Sequence, residues 1–235
     1  LSAHVDVGII NGTIAKPHSR PYMVSVQKRH HVCGGFLVGD SFVMTAAHCW
    51  DMGGELTVVV GYQDLSSRES CTGRMTVKRY HVHPGYDSST LENDIMILQL
   101  DQKVKLIPNA VQPIPLPRRN EDVAARSRCS VAGWGRISTN GPISSRLREA
   151  NVQIFDREQC RQRWGELITD HMLCASGGAG FCQGDSGGPL VCGGKAVGVV
   201  SFNQKGNCDK PIVPNVYTNI SSFLPWINAI IEGNP

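Results

Sequence analysis

Gly184-Asp185-Ser186-Gly187-Gly188-Pro189-Leu190 stands between Cys182 and Cys192 and sets one serine among three glycines within five residues. Glycine gives up more backbone entropy on folding than any other residue and packs nothing. Three so close together predict a backbone that bends sharply or approaches a ligand. Ser186 then sits at a tight turn with its hydroxyl exposed, and the amides of Gly184 and Ser186 can point at one place. That is the layout of a nucleophile with an oxyanion hole. A glycine-rich surface turn would look the same in sequence, and short motifs are frequent by chance. The choice rests on whether a base and an orienting acid occur elsewhere.

Both occur. Thr45-Ala46-Ala47-His48-Cys49 places a histidine at the end of the apolar run Phe42-Val43-Met44, and Asn93-Asp94-Ile95-Met96-Ile97-Leu98 places an aspartate at the mouth of a β-rich run. Singly, His48 reads as a core histidine and Asp94 as a turn residue. Taken in the order His48, Asp94, Ser186, the segments resemble the chymotrypsin family of serine proteases. Ile9-Ile10-Asn11-Gly12, Ala132-Gly133-Trp134-Gly135, Ser201-Phe202 and Val216-Tyr217 extend that resemblance from Ile9 to about Ile231. Lys16-Pro17-His18-Ser19-Arg20-Pro21-Tyr22-Met23 is similar to the granzyme and mast-cell protease branch.

The resemblance implies an all-β, trypsin-like fold of two antiparallel six-stranded β-barrels with a C-terminal helix, and an active site in the cleft between the barrels. It makes His48 the general base, Asp94 its orienting acid and Ser186 the nucleophile, with the Gly184 and Ser186 amides as oxyanion donors. Ser201 would add a hydrogen bond to Asp94. Activation would expose the Ile9 amine, which pairs with Asp185; a buried carboxylate needs such a partner. Residues 1–8 then read as a signal remnant and short propeptide, and residues 9–235 as the peptidase domain.

A chain of 235 residues has the length for one large or two ordinary domains. At 41% hydrophobic and 18% charged residues it is composed like a soluble globule, with no run long enough to span a membrane. Nine cysteines, without repeated C-x-x-C pairs, point to an oxidising, secretory compartment. The resemblance pairs eight of them as Cys33–Cys49, Cys129–Cys192, Cys160–Cys174 and Cys182–Cys208, each contributing roughly 2–4 kcal/mol. Cys71 is left over, either a free thiol or half of a disulfide joining two otherwise monomeric copies. A net charge of +3 is too small to argue for nucleic acid but suits loose binding to polyanions such as proteoglycans. The resemblance further implies peptide substrates, serpin-type inhibitors, and secretion or storage in granules.

Along the chain, short β-rich runs at Tyr22–Gln27, Phe36–Val38, Phe42–Thr45, Leu56–Val60, Met75–Tyr80 and Ile95–Leu100 predict a first barrel over about 21–116. Pro108, Pro113, Pro115 and Pro117, followed by the charged stretch 118–122, mark a crossing. A second set, Ser130–Ala132, Glu149–Ile154, Met172–Ala175, Pro189–Cys192, Lys195–Ser201 and Asn215–Asn219, predicts the other barrel over about 123–220. A short helix is expected near Arg157–Trp164. A serine-capped helix with apolar spacing of three to four is expected over about 221–231. Asn11-Gly12-Thr13 and Asn219-Ile220-Ser221 are glycosylation sequons. His30-His31 and His81-Val82-His83 read as solvated loop and strand residues rather than metal pairs. The resemblance implies no metal or organic cofactor, and Tyr62 stands where calcium-binding relatives carry glutamate, so calcium is not expected.

For the cleaved bond, the resemblance places the pocket floor six positions before the nucleophile, at Gly180, where trypsin-like preference for Arg or Lys would need an aspartate. The wall is Ser201-Phe202-Asn203 and the back-wall residue Asn215; Phe181, Asn203 and Asn215 are bulkier than their counterparts in wide-pocket relatives, which shortens the pocket and favours small or medium aliphatic residues. If the Phe181 ring turned into the core instead, the pocket would stay open. The competing readings are a polar or acidic preference of granzyme-B type, with Asn203, Asn215 or Lys210 supplying donors, and a non-catalytic azurocidin-like binding protein.

Overall fold

The computed structural model describes residues 9–51, 53–67, 73–176 and 179–233. The expectations for His4–Gly8 and for Cys71 lie outside the described residues.

After the two-residue strand β1 (Thr13–Ile14), six strands close the first barrel. They are β2 (Met23–Gln27), β3 (His31–Leu37), β4 (Phe42–Thr45), β5 (Thr57–Val60), β6 (Arg74–Val82) and β7 (Met96–Leu100). Hydrogen bonding runs β2-β3-β4-β7-β6-β5, and the β5–β2 pairing shuts the ring. Their Val, Ile, Met and Phe side chains suit a pleated surface packed on both sides, and β2, β4 and β7 are buried along their whole length. β3 begins earlier than its apolar run suggests because Gly34 and Gly35 leave room for close approach. A Cβ on Gly35 would come within 3.0 Å of Val43 and 3.2 Å of Val26.

The second barrel is built from β8 (Arg128–Gly133), β9 (Arg148–Phe155), β10 (Met172–Ser176), β11 (Pro189–Cys192), β12 (Lys195–Phe202) and β13 (Asn215–Asn219). It runs β9-β10-β13-β12-β11-β8, and the β8–β9 pairing closes it. β1 adds to β9, tying the segment before the first barrel onto the second.

Helix α1 (Arg157–Trp164) starts at Asp156, whose carboxylate accepts from the Gln159 amide at 2.9 Å. The C-terminal segment departs from expectation at its start. Residues Ile220–Phe223 form a 3-10 turn before α2 (Leu224–Gly233). Ser221 is buried inside that turn and donates to Asn219 Oδ1 at 3.1 Å rather than capping a helix. Phe223, Leu224, Ile227 and Ile230 then pack into the core of the first barrel, so the chain's end clamps one barrel to the other. Four disulfides join Cys33–Cys49, Cys129–Cys192, Cys160–Cys174 and Cys182–Cys208, with Cα separations of 4.4–6.5 Å.

Asn219 needs a correction as a glycosylation site. It is 5% exposed, its amide donates to His171 O, and its side chain is engaged by Ser221. A folded chain does not offer it. Asn11 is exposed.

Candidate active site

β4 ends at Thr45 and runs into a 3-10 turn, Ala47–Trp50, that carries His48. The Cys33–Cys49 bridge pins that turn to β3. Asp94 lies just ahead of β7, and its carboxylate is wholly buried. A buried carboxylate has to be satisfied by donors, and three converge here. The His48 amide donates to Oδ1 at 2.9 Å, His48 Nδ1 donates to Oδ2 at 2.7 Å, and Ser201 Oγ donates to Oδ2 at 2.6 Å. Thr218 Oγ1 anchors the Asp94 carbonyl at 2.8 Å. Because a carboxylate only accepts, Nδ1 carries the proton and Nε2 keeps its lone pair. The imidazole is thereby set up as a base.

Burial pulls the His48 pKa down, but the hydrogen bond and charge of Asp94, with a further contribution from Asp51, outweigh it and leave the pKa above that of a free histidine. The acid limb of kcat/KM is therefore expected above the ordinary histidine value of 6.5. Activity that needs neutral His48 is full above that pKa and lost as pH falls through it. Asp94→Asn should move the limb downward as well as lowering kcat. An acid limb unmoved by Asp94→Asn would show that another group governs it.

Ser186 comes from the second barrel, yet it is held against the first. The Gly34 amide of β3 donates to Ser186 O at 2.8 Å, and a Cβ on Gly34 would stand 3.1 Å from Gly188 Cα. Gly187 has φ +84° and presses so close to Thr45 and Gly34 that any side chain would collide with them. Cys49 Sγ lies 3.8 Å from Ser186 O. Two glycine-lined backbones in contact thus deliver the serine beside the histidine turn. No hydrogen bond links Ser186 Oγ to His48 Nε2 among the described residues; such contacts commonly tighten only with substrate. Gly184, at φ +96°, and Ser186 leave their amides without an acceptor among the described residues.

Between them Asp185 points inward. It accepts from the Gly135 amide at 2.8 Å and the Cys182 amide at 3.0 Å, in a space that requires glycine at 133 and 135. Burial pushes its pKa up to about 7 against the pull of those two amides. Ile9 is fully buried in the core of the second barrel, at φ +34°, where a β-branched residue is strained.

His31 departs from the expectation of a solvated loop residue. It is 8% exposed, accepts from Ser25 Oγ through Nδ1 at 2.8 Å, and donates through Nε2 to Gly184 O at 2.8 Å. Burial lowers its pKa, so it holds Gly184 as a neutral ring. Its place in β3, with Gly34 three residues on, was the available signal.

At the expected specificity pocket, Gly180 pairs with Ile10, and the Asn215 side-chain amide lies over it where a Cβ would collide. Asn203 Nδ2 donates to Phe181 O at 2.9 Å. Ser201 is buried and Phe202 half-buried, its ring edge-on to Trp164. The expectation that the Phe181 ring projects into the pocket is corrected. It is 3% exposed and packs edge-on against Tyr217, 5.3 Å away, in the second core with Ile9 and Val131. Lys210 is exposed and does not turn inward. Asn215 Oδ1 and Tyr217 Oη, on one face of β13, are buried without a partner among the described residues. Among the described residues no cluster of His, Cys, Asp or Glu is placed to hold a metal ion.

The chain matches the trypsin family model over residues 9–227. It is 42% identical to duodenase-1 of Bos taurus and 43% identical to mast cell protease 3 of Ovis aries, in each case across 95% of this chain and 89% of the relative. Against cathepsin G of Homo sapiens the identity is 40%, across 95% of this chain and 88% of the relative. A matched family model over nearly the whole chain and a shared two-barrel architecture agree: the chain belongs to the trypsin family of serine endopeptidases, on the granzyme and mast-cell protease branch.

Proposed function

We propose that this endopeptidase cleaves peptide bonds through an acyl-enzyme formed on Ser186, is stored or secreted as a zymogen, and prefers small or medium aliphatic residues before the cleaved bond. The observation that carries the catalytic reading is the Asp94 carboxylate, buried and shared by His48 and Ser201, with two unspent amides at Gly184 and Ser186. Ser186 Oγ attacks the peptide carbonyl carbon while His48 Nε2 takes its proton. The oxyanion is received by the two amides, an arrangement in which one donor is worth about 3–4 kcal/mol. His48 then protonates the leaving amine. Water enters the same way, giving its proton to His48, and the ester breaks to release the acid and restore Ser186. Asp94 stays ionised throughout, holding the tautomer and stabilising the imidazolium. An intact set of these groups disfavours an azurocidin-like protein without catalysis.

Activation follows from cutting Gly8–Ile9. The strained φ of Ile9 depends on the Gly8 carbonyl, so cleavage relieves it and supplies an ammonium for buried Asp185. Glycine before the bond argues for a dipeptide-removing activator over a trypsin-like one. Serpin-type inhibitors and polyanionic proteoglycans are the partners this reading adds, with Asn11 as the accessible glycosylation site.

With the Phe181 ring in the core, the narrowing rests on Asn215 over Gly180 and on Asn203 bridging to Phe181 O. A basic side chain would be buried there without a carboxylate. The orphaned Asn215 Oδ1 and Tyr217 Oη favour, as a second reading, a neutral polar side chain that donates a hydrogen bond. An acidic side chain would use the donors instead, Asn215 Nδ2, which lies over Gly180, and the Tyr217 hydroxyl. Cleavage after Ala, Val, Gln, Phe, Asp and Arg in one peptide frame tests this. Graded rates are expected, highest for Val or Ala, with a methylene worth about 1–3 kcal/mol. Preference for Phe, Asp or Arg would defeat the aliphatic reading, and preference for Gln would select the polar one.

A further inference from the structure

We infer that the cleft between α1 and the segment Pro211–Asn215 is a second ligand site, taking a monocarboxylate with a short apolar tail and coupled to the specificity pocket through Asn215. The cleft holds about 140 Å³ of interior space. Phe155, Ala175, Ala179, Ile212 and Pro214 give it apolar walls, and Arg163 lies at its edge. Among the described residues that line it none is acidic.

Arg163 differs from its neighbours on α1. Arg157 pairs with Asp122, and Arg161 with Asp170 and Glu158, whereas Arg163 has no ion pair among the described residues. Ile212 is 73% exposed, far more than the next large apolar side chain, Ile143, at 46%. An unpaired guanidinium beside an uncovered apolar wall calls for an occupant with an anionic head and a hydrocarbon body. A carboxylate meets the planar fork of arginine with two hydrogen bonds. With the carboxylate at Arg163, an interior of this size has room for the hydrocarbon tail of a six-carbon acid.

The cleft is already formed. Trp164 Nε1 donates to Pro214 O at 2.8 Å and the Ile212 amide donates to Gln204 Oε1 at 2.9 Å, fastening the segment to α1 and to the loop after β12. Its far wall is also the wall of the specificity pocket. Ala179 precedes Gly180, and Asn215 lines the cleft while its side-chain amide covers Gly180. Asn215 is 6% exposed and its Oδ1 has no partner among the described residues, so none of them fixes that end of the amide by a hydrogen bond. An occupant packed against Pro211–Asn215 would settle the position of Asn215, and with it the access of substrate side chains. The coupling is reciprocal: a ligand in the specificity pocket must change the affinity of the cleft by the same factor.

Hexanoate is the probe. Binding is measured by calorimetry on the Ser186→Ala chain, which needs no catalysis, and kcat/KM on the activated enzyme; only this kinetic arm rests on the proposed specificity pocket. Millimolar binding is expected, with kcat/KM for a Val peptide changed by about threefold at saturation. Arg163→Gln should weaken binding by about tenfold and erase the kinetic effect while leaving basal kcat/KM intact. Ile212→Ser should weaken binding too, and hexylamine should not bind. Absence of binding to the Ser186→Ala chain, undiminished binding to Arg163→Gln, equal binding of hexylamine, or binding that leaves kcat/KM unchanged would each overturn the inference.

Discussion

Ser186→Ala should lower kcat by roughly 10⁴- to 10⁶-fold while leaving the fold intact. The hydroxyl is partly exposed and makes no hydrogen bond among the described residues, so its removal opens no cavity and orphans no buried partner. The backbone contact that seats the turn, Gly34 N to Ser186 O, survives the substitution. A urea midpoint equal to that of the parent, together with lost turnover, is the expected pair of results. A fluorophosphonate should label the parent and leave Ser186→Ala unlabelled. Residual labelling of the variant at parental rates would assign the nucleophile elsewhere.

Cutting the Gly8–Ile9 bond should raise kcat/KM by about a hundredfold or more, the scale of one oxyanion donor brought into place. Asp185 sits between the two amides that would form that hole, so whatever satisfies its carboxylate also sets Gly184. The same link makes stability depend on pH. Burial raises Asp185 from its ordinary 3.8 to about 7 in the uncut chain. A raised carboxyl contributes its stability fully below 3.8 and loses it as pH rises through about 7. The uncut form should therefore weaken between those limits by a few kcal/mol, and the cut form, with the Ile9 ammonium beside an ionised Asp185, should not. Urea midpoints of both forms at pH 5 and pH 8 test this, and parallel behaviour of the two forms would refute the pairing. Asp185→Asn in the cut enzyme should return activity toward the uncut level.

The barrel strands were legible along the chain because each rests on local chemistry, whereas His48 and Asp94 read singly as a core histidine and a turn residue and joined Ser186 only through the family resemblance. Short apolar, β-rich runs such as Phe42–Thr45 and Val197–Val200 fit strands packed on two sides, and glycines 184, 187 and 188 sit where positive φ or close approach excludes a side chain. The start of β3 was not legible, since His31 through Gly35 looks like a turn until Gly188 is found against Gly34. His31 was misjudged for the same reason: its partners Ser25 and Gly184 are 6 and 153 positions away, and only the packed barrels bring them to one ring. Phe181 posed the opposite difficulty, a side chain whose two possible directions are equally consistent with sequence. The second core decided it, because Tyr217 and Ile9 offer the ring an apolar surface. Asn219 shows the limit of a motif, its sequon intact and its side chain buried at the end of β13. Strand pattern could be read from local sequence and the candidate chemistry from a family resemblance, whereas direction, burial and partnership follow from contacts between segments far apart in the chain, which exist only once the barrels have closed.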